Sequence, residues 1–222
     1  ASAAALLLGA SSRPGARRLG LVALLAWSLL AGLAARAPAN SRSLPVAAVA
    51  LAEGARAGSQ PREIAAGLAE LTGRAAAQGA RLVVWPEAAV SLGAEPSTVA
   101  STGDEPALRA VRAAAREHQV VLVAGVFVRA ADSNQALVVS PDGRIQARYE
   151  KHHLIPGMEH YRAGSGGGVV AALPVLDARL GLQICFDDCF GGGLRDLRAG
   201  AAQLMAVPTQ DWPAVAHRHR RL

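Results

Sequence analysis

Only one of the 222 residues is a lysine, Lys151, although lysine and arginine together number 23. Cysteine is nearly as scarce, with Cys185 and Cys189 alone. Two cysteines cannot build a disulfide framework, and their spacing is neither CxxC nor a zinc-binding pattern. A Cys185–Cys189 disulfide would be open to the chain only in an oxidising compartment. Aromatic residues make up 4% of the chain. They are not interleaved with the scattered arginines, so the net charge of +6 carries no nucleic-acid motif and reads as a solvated, arginine-rich surface. No internal repeat is visible. The glycine run Gly164–Gly168 does not have the G-x-G-x-x-G spacing or the strand–helix setting of a dinucleotide site, and reads as a flexible loop.

What the chain has in excess is alanine and other small apolar residues, a composition of ordered protein rather than of disorder. Leu19–Ala35 (LGLVALLAWSLLAGLAA) is uncharged and bounded by Arg18 and Arg36. It is at the short end of the roughly 17–25 residues a spanning helix needs. A second apolar run, 1–10, precedes it, with the basic loop SSRPGARR between. The pair reads as the end of one membrane helix and all of the next, with a signal-like or buried helix as the alternative. Arg13, Arg17 and Arg18 place that loop in the cytoplasm by the positive-inside rule, and the rest of the chain outside it. The expected organisation is therefore membrane segments over 1–36, a linker over 37–45 and a catalytic domain over 46–222.

In that domain, strand-like and helix-like stretches alternate, which predicts an α/β fold. Strands are expected at 46–51, 81–85, 120–128, 135–140, 144–149, 169–172, 181–185 and 203–207. Helices are expected at 61–78, 104–118 and 194–199. Pro61 suits a first helical turn, Gly79 a stop and Asp104 an N-cap. Pro141-Asp142-Gly143 is a hairpin turn.

Three reactive residues follow apolar strands. Glu87 comes after RLVVWP, where sites form in open α/β sheets, although a lone glutamate there is ordinarily a surface or capping residue. Cys185 ends GLQIC, where a lone cysteine is usually a small core residue. Lys151 follows the 144–149 strand, and its ammonium offers a compact charge with rotatable donors that arginine does not reproduce. A base, a cation and a thiol are the parts nucleophilic catalysis needs.

Taken together, WPE around Glu87, the run NxALV…PDGRI…YxKxHLxPxxE from Asn134 to Glu159, and ICFD around Cys185 resemble the nitrilase, or carbon–nitrogen hydrolase, superfamily. The likeness covers about residues 46–212. It implies a four-layer αββα sandwich, and more chain than is present, with the last strands and helix missing. Within the superfamily the sequence looks most similar to the apolipoprotein N-acyltransferase branch, which carries its nitrilase domain outside the membrane after a run of membrane helices. That branch usually has Pro-Phe-Gly-Glu where this chain has Pro156-Gly157-Met158-Glu159, and tends to carry Glu where this chain has Asp187. Its N-D-x-W-F-G motif reads Thr209-Gln210-Asp211-Trp212-Pro213 here. These differences bear on substrate more than on the reaction.

The resemblance implies that Glu87 is the general base, Cys185 the nucleophile, and Lys151 with the backbone N–H of Phe186 the oxyanion donors. Glu159 would orient Lys151 or help to move protons. No metal or other cofactor is implied. The expected activity is acyl transfer through a Cys185 thioester, with a phospholipid as donor and the N-terminal amine of a lipoprotein as acceptor. This would be done by a multi-pass protein of the cell membrane with its catalytic domain extracytoplasmic. The alternatives are a membrane-tethered amidase or nitrilase-like hydrolase that uses water, and a non-catalytic remnant or binding module. His152, His153 and His160 crowd one loop, and His217 and His219 lie near the end. With no cysteine or carboxylate at ligand spacing they read as exposed or structural. Asp187 and Asp188 either bind a substrate amine or hold a loop.

Overall fold

A computed structural model of the chain describes residues 43–52 and 59–210. The chain divides into two units after Ser43, and the structure described below is that of the second. The apolar segment 19–35, most of the 37–45 linker, Asp211, Trp212, His217 and His219 lie outside the described residues. Among the described residues, no helix is long and apolar enough to cross a membrane.

Six strands form the first sheet: β1 (Val46–Ala48), β2 (Leu82–Val84), β3 (Val90–Leu92), β4 (Val121–Val128), β5 (Ser133–Val139) and β6 (Ile145–Glu150). Their order is β1-β2-β4-β5-β6, with β3 also paired to β4. The β1–β2, β2–β4 and β3–β4 pairs are parallel, and β4–β5–β6 are antiparallel. A second sheet, in the order β7-β8-β9, holds β7 (Val169–Leu173), β8 (Ala178–Leu182) and β9 (Leu204–Ala206).

Helix α1 (Pro61–Ala77) starts on a proline, and the Glu63 carboxylate accepts a hydrogen bond from the Gln60 N–H at 3.0 Å. This satisfies one of the N-terminal donors a helix leaves open. It buries Ala65, Leu68 and Thr72, spaced to lie on one face. Helix α2 (Pro106–Glu117) has Glu105, not Asp104, at its N-cap. Asp104 instead pairs with the buried Arg112 at 2.8 Å. Arg112 also donates to the Gly143 and Ser97 carbonyls, at 2.7 and 2.6 Å, tying the loop before α2 to the β5–β6 hairpin. Helix α3 (Gly191–Ala199) begins three residues before its expected start.

The two faces of the first sheet are apolar because its central strands alternate between two cores. Leu122, Ala124, Val126, Leu137 and Val139 pack with α1 and α2. Val121, Val123, Ala136, Val138 and Tyr149 pack with Leu173, Leu180, Leu182 and Ile184 of the second sheet and the turn after it. On the far side of that second sheet, a Cβ added at Gly168 or Gly181 would come within 2.5 or 3.0 Å of Leu197 from α3. The layers thus run helix, sheet, sheet, helix, as the αββα expectation has it.

Two local features differ from the sequence reading. Strand β3 was not expected, because the chain between Trp85 and Ala89 leaves the sheet and returns to it. Strand β8 ends at Leu182, so Cys185 does not close a strand. It opens a 3-10 turn, Cys185–Cys189, with a positive φ of 47°.

Candidate active site

Glu87 owes its place to a glycine in the neighbouring strand. The Trp85 N–H bonds to the Val123 carbonyl at 2.8 Å, and the Ala89 N–H to the Gly125 carbonyl at 2.9 Å. Between these anchors the Pro86–Ala88 backbone bulges over Gly125, with Ala88 at a φ of 44°. A Cβ at Gly125 would lie 2.0 Å from the Pro86 carbonyl oxygen and 2.8 Å from the Glu87 Cα. Only a glycine leaves room for the bulge.

Lys151 follows β6 and is held by its own N–H to the Asn134 carbonyl, at 2.9 Å. Its Nζ donates to Glu87 Oε1 and to Glu159 Oε1, each at 2.8 Å. Lys151 is 1% exposed and Glu87 5%. Burial alone would depress the lysine pKa, but the hydrogen bonds to Glu159 and Glu87 and the Glu87 charge outweigh it. The ammonium is held protonated well above the ordinary lysine range. Glu159 reaches inward because its Oε2 accepts the Ile155 N–H at 2.8 Å, which folds the 155–159 loop onto itself.

Cys185 is half-buried, and its N–H bonds to the Pro208 carbonyl at 3.0 Å. Cys185 and Cys189 are thiols, with no disulfide between them. Cys185, Glu87 and Glu159 line one cavity of about 240 Å³, together with Ala88, Phe127, Asn134, Ile155, Tyr161 and Gln210. Phe186 follows within the same 3-10 turn, its ring edge-on to Phe190 at 5.2 Å.

Asp187 is buried, and its position decides between the two readings of that residue. Its carboxylate accepts from the Ile184, His152 and His153 backbone N–H groups, at 3.3, 3.4 and 2.7 Å. It also meets His153 Nδ1 at 2.9 Å. Asp187 therefore holds the turn after Cys185 to the loop after Lys151. Asp188 is exposed on the outside of that turn. His152 and His153 are structural: His152 Nδ1 bonds to the Gly164 carbonyl at 2.8 Å, and His153 stacks on Phe190 at 3.7 Å. Gly164 donates in turn to the Lys151 carbonyl at 2.8 Å and packs against Glu150 where a Cβ would clash, so the start of the glycine run is fitted to the lysine strand end. Among the described residues, no group of three or more His, Cys, Asp or Glu is arranged to hold a metal ion.

Three cavity residues were not singled out from the sequence. Asn134 donates through Nδ2 to Glu87 Oε1 at 2.8 Å and to the Tyr161 hydroxyl at 3.1 Å. Gln210 donates its N–H to Glu87 Oε2 at 3.2 Å. Asn134 had a signal, since it opens the NxALV run. Tyr161 had none of its own, and Gln210 stands in the Thr209–Pro213 stretch set against the N-D-x-W-F-G motif. Gly125 had one: a glycine inside the apolar strand VLVAGVFV marks a close backbone approach.

Residues 45–222 match the model of the carbon-nitrogen hydrolase family. With a match over most of its length, the chain belongs to that family, whose other name is the nitrilase superfamily. Among curated relatives, it is 33% identical to a hydrolase of Mycobacterium tuberculosis over 167 residues, 72% of this chain and 59% of that protein. It is 27% identical to a citrullinase of Francisella tularensis over 148 residues, 61% of this chain and 52% of the other. The chain thus spans between half and three fifths of the curated relatives it matches. Among solved structures, an amidase from Nesterenkonia sp. superposes with a TM-score of 0.58 at 24% identity, covering 71% of this chain and 63% of the amidase. A carbon-nitrogen hydrolase from Helicobacter pylori gives 0.58 at 22%, covering 73% and 62%. These two likenesses are of fold.

Proposed function

We propose that this chain carries the catalytic site of an amide-cleaving hydrolase, with Cys185 as nucleophile. The observation that carries the reading is that Glu87 and Glu159, both hydrogen-bonded to the buried Lys151, share one small cavity with Cys185. An ordinary thiol, with a pKa of ~8.5, is mostly protonated at neutral pH and needs a base. Glu87 takes the Cys185 proton as the sulfur attacks the amide carbon. Lys151 and the Phe186 backbone N–H donate to the oxyanion. Removing one such donor typically costs about 10²–10³ in rate. The C–N bond breaks as Glu87 passes the proton to the departing nitrogen, leaving a thioester on Cys185. Glu87 then takes a proton from water, which attacks the thioester and releases the acid and the thiol. Glu159 holds Lys151 in place.

Hydrolysis is favoured over acyl transfer because the curated relatives are named a hydrolase and a citrullinase. A second reading keeps the same thioester but passes it to an amine, with a phospholipid as donor and a lipoprotein as acceptor. The uncharged stretch Leu19–Ala35 supports that reading, since it would tether the site outside the cytoplasmic membrane.

The test gives full-length protein a short aliphatic amide or a phospholipid, and follows ammonia release and the mass of the Cys185 peptide. A hydroxylamine-labile acyl adduct with ammonia release supports the hydrolase. An adduct formed from phospholipid and discharged only by an amine supports the transferase. Cys185→Ser loses turnover in both cases and Cys189→Ser in neither. Normal turnover by Cys185→Ser sinks both.

A further inference from the structure

Two uncharged side chains close the ion-paired cluster into a ring. Starting from Glu87 Oε1, Lys151 Nζ bridges at 2.8 Å to Glu159. Glu159 in turn stands beside the Tyr161 hydroxyl, which burial and that carboxylate's charge hold protonated. The Tyr161 hydroxyl accepts from Asn134 Nδ2 at 3.1 Å, and Asn134 Nδ2 donates to Glu87 Oε1 at 2.8 Å. Tyr161 is set for this by its ring, edge-on to Phe127 at 5.5 Å, the residue that pairs with Asn134 across β4–β5.

We propose that Asn134, braced by Tyr161, is a positioning residue that fixes the orientation of Glu87. This inference rests on Glu87 being the base for Cys185. The two side-chain donors, Lys151 and Asn134, both fall on Oε1, whereas Oε2 takes the longer bond from the Gln210 N–H. That division commits Oε1 to holding the carboxylate and gives the proton transfer to Oε2. The titratable groups around Glu87 are Lys151 from the end of β6, Glu159 and Tyr161 from the loop after it, and Cys185 from the 3-10 turn.

Asn134 has a cost that packing does not explain. It is 3% exposed, and its Oδ1 is buried without a hydrogen-bond partner among the described residues. An apolar residue of similar size would remove that orphan. The neighbouring Gln135, on the opposite face of β5, also has a buried orphan oxygen, but it bonds to Glu95 and Ser133 and does not touch the ring. It is the natural control.

The experiment needs no knowledge of the substrate. Full-length protein is treated with iodoacetamide at pH 7, and alkylation of Cys185 and of the exposed Cys189 is followed by mass spectrometry. In Asn134→Leu the Cys185 rate falls roughly tenfold, as loss of a hydrogen bond to a charged group predicts, while Cys189 keeps its rate. Tyr161→Phe keeps the ring packing and slows Cys185 less. Gln135→Leu leaves both rates in place. A folded Asn134→Leu protein with the native Cys185 rate overturns the inference, as does equal slowing in Gln135→Leu. If Asn134→Leu does not fold, Tyr161→Phe decides, and an unchanged Cys185 rate overturns it. A native Cys185 rate in Glu87→Gln rejects Glu87 as the base, and with it the proposed mechanism rather than the ring alone.

Discussion

At the scale of single residues, the lysine that stands alone in the sequence stands between two carboxylates in the structure. Glu87 and Glu159 each bond to Lys151 Nζ at 2.8 Å, so without the ammonium two buried or half-buried carboxylates would face each other at close range. Like charges that close cannot both remain ionised cheaply. Lys151→Met is therefore expected to be less stable than the native protein by about 3–5 kcal/mol, the range for removing one partner of a buried ion pair. The folded-state pKa of Lys151 is raised above its unfolded value, so its contribution is complete below pH ~10.4 and is lost only as the pH rises toward the folded-state value. Denaturant midpoints of the two proteins at pH 7, 10 and 11 check the sign, and a stability difference that grows from pH 10 to 11 contradicts the account. Lys151→Arg restores charge but not geometry, because a planar guanidinium cannot occupy the same point between two oxygens, and turnover should fall nearly as far as in Lys151→Ala.

At the scale of elements, the site is made where strands stop being regular, and this is where sequence patterns lose their grip. Apolar runs identified the central strands β4 and β5 and the two long helices, because period and composition agree there. They did not reveal that Trp85–Ala89 bulges between β2 and β3, nor that β8 ends before Cys185, since a bulge and a 3-10 turn have no period to read. The WPE and ICFD wording placed Glu87 and Cys185 near strand ends, but the geometry that holds them is a glycine in one case and a positive-φ turn in the other. Gly125→Ala tests the first. Its Cβ would press on backbone at 2.0 Å, which no rotamer change relieves, so the bulge has to move. Overpacking of this kind costs ~1–3 kcal/mol of stability. A shift of about 1 Å at a catalytic group can cost 10²-fold in rate. Turnover, or Cys185 alkylation where the substrate is unknown, should therefore fall much further than the urea midpoint. An active, equally stable Gly125→Ala protein would show that Glu87 is not held this way.

At the scale of the whole domain, two sheets have to be registered so that Glu87, from the first, shares a cavity with Cys185, just beyond the second. The shared apolar core does not fix that register alone, because burial is non-directional. Asp187 supplies a directional link. It belongs to the turn after the second sheet, yet it accepts the His152 and His153 N–H groups of the first sheet's loop, and its charge lies near the Tyr149 hydroxyl of β6. Burial first, and then the Asp187 charge, hold the Tyr149 hydroxyl protonated far into alkali, so that it remains a donor. None of this was legible in the sequence, where Asp187 and Asp188 are adjacent and alike; only the fold turns one inward and the other out. Asp187→Asn keeps the shape but places an NH₂ against backbone donors. It is expected to lower stability by about 1.5–3 kcal/mol, the range for hydrogen bonds to a charged group. Asp188→Asn, on the exposed side of the same turn, should change it by no more than ~0.5 kcal/mol. Urea melts of the two variants beside the native protein make the comparison, and equal midpoints for Asp187→Asn and Asp188→Asn would mean that the sheets are registered by packing and not by this carboxylate.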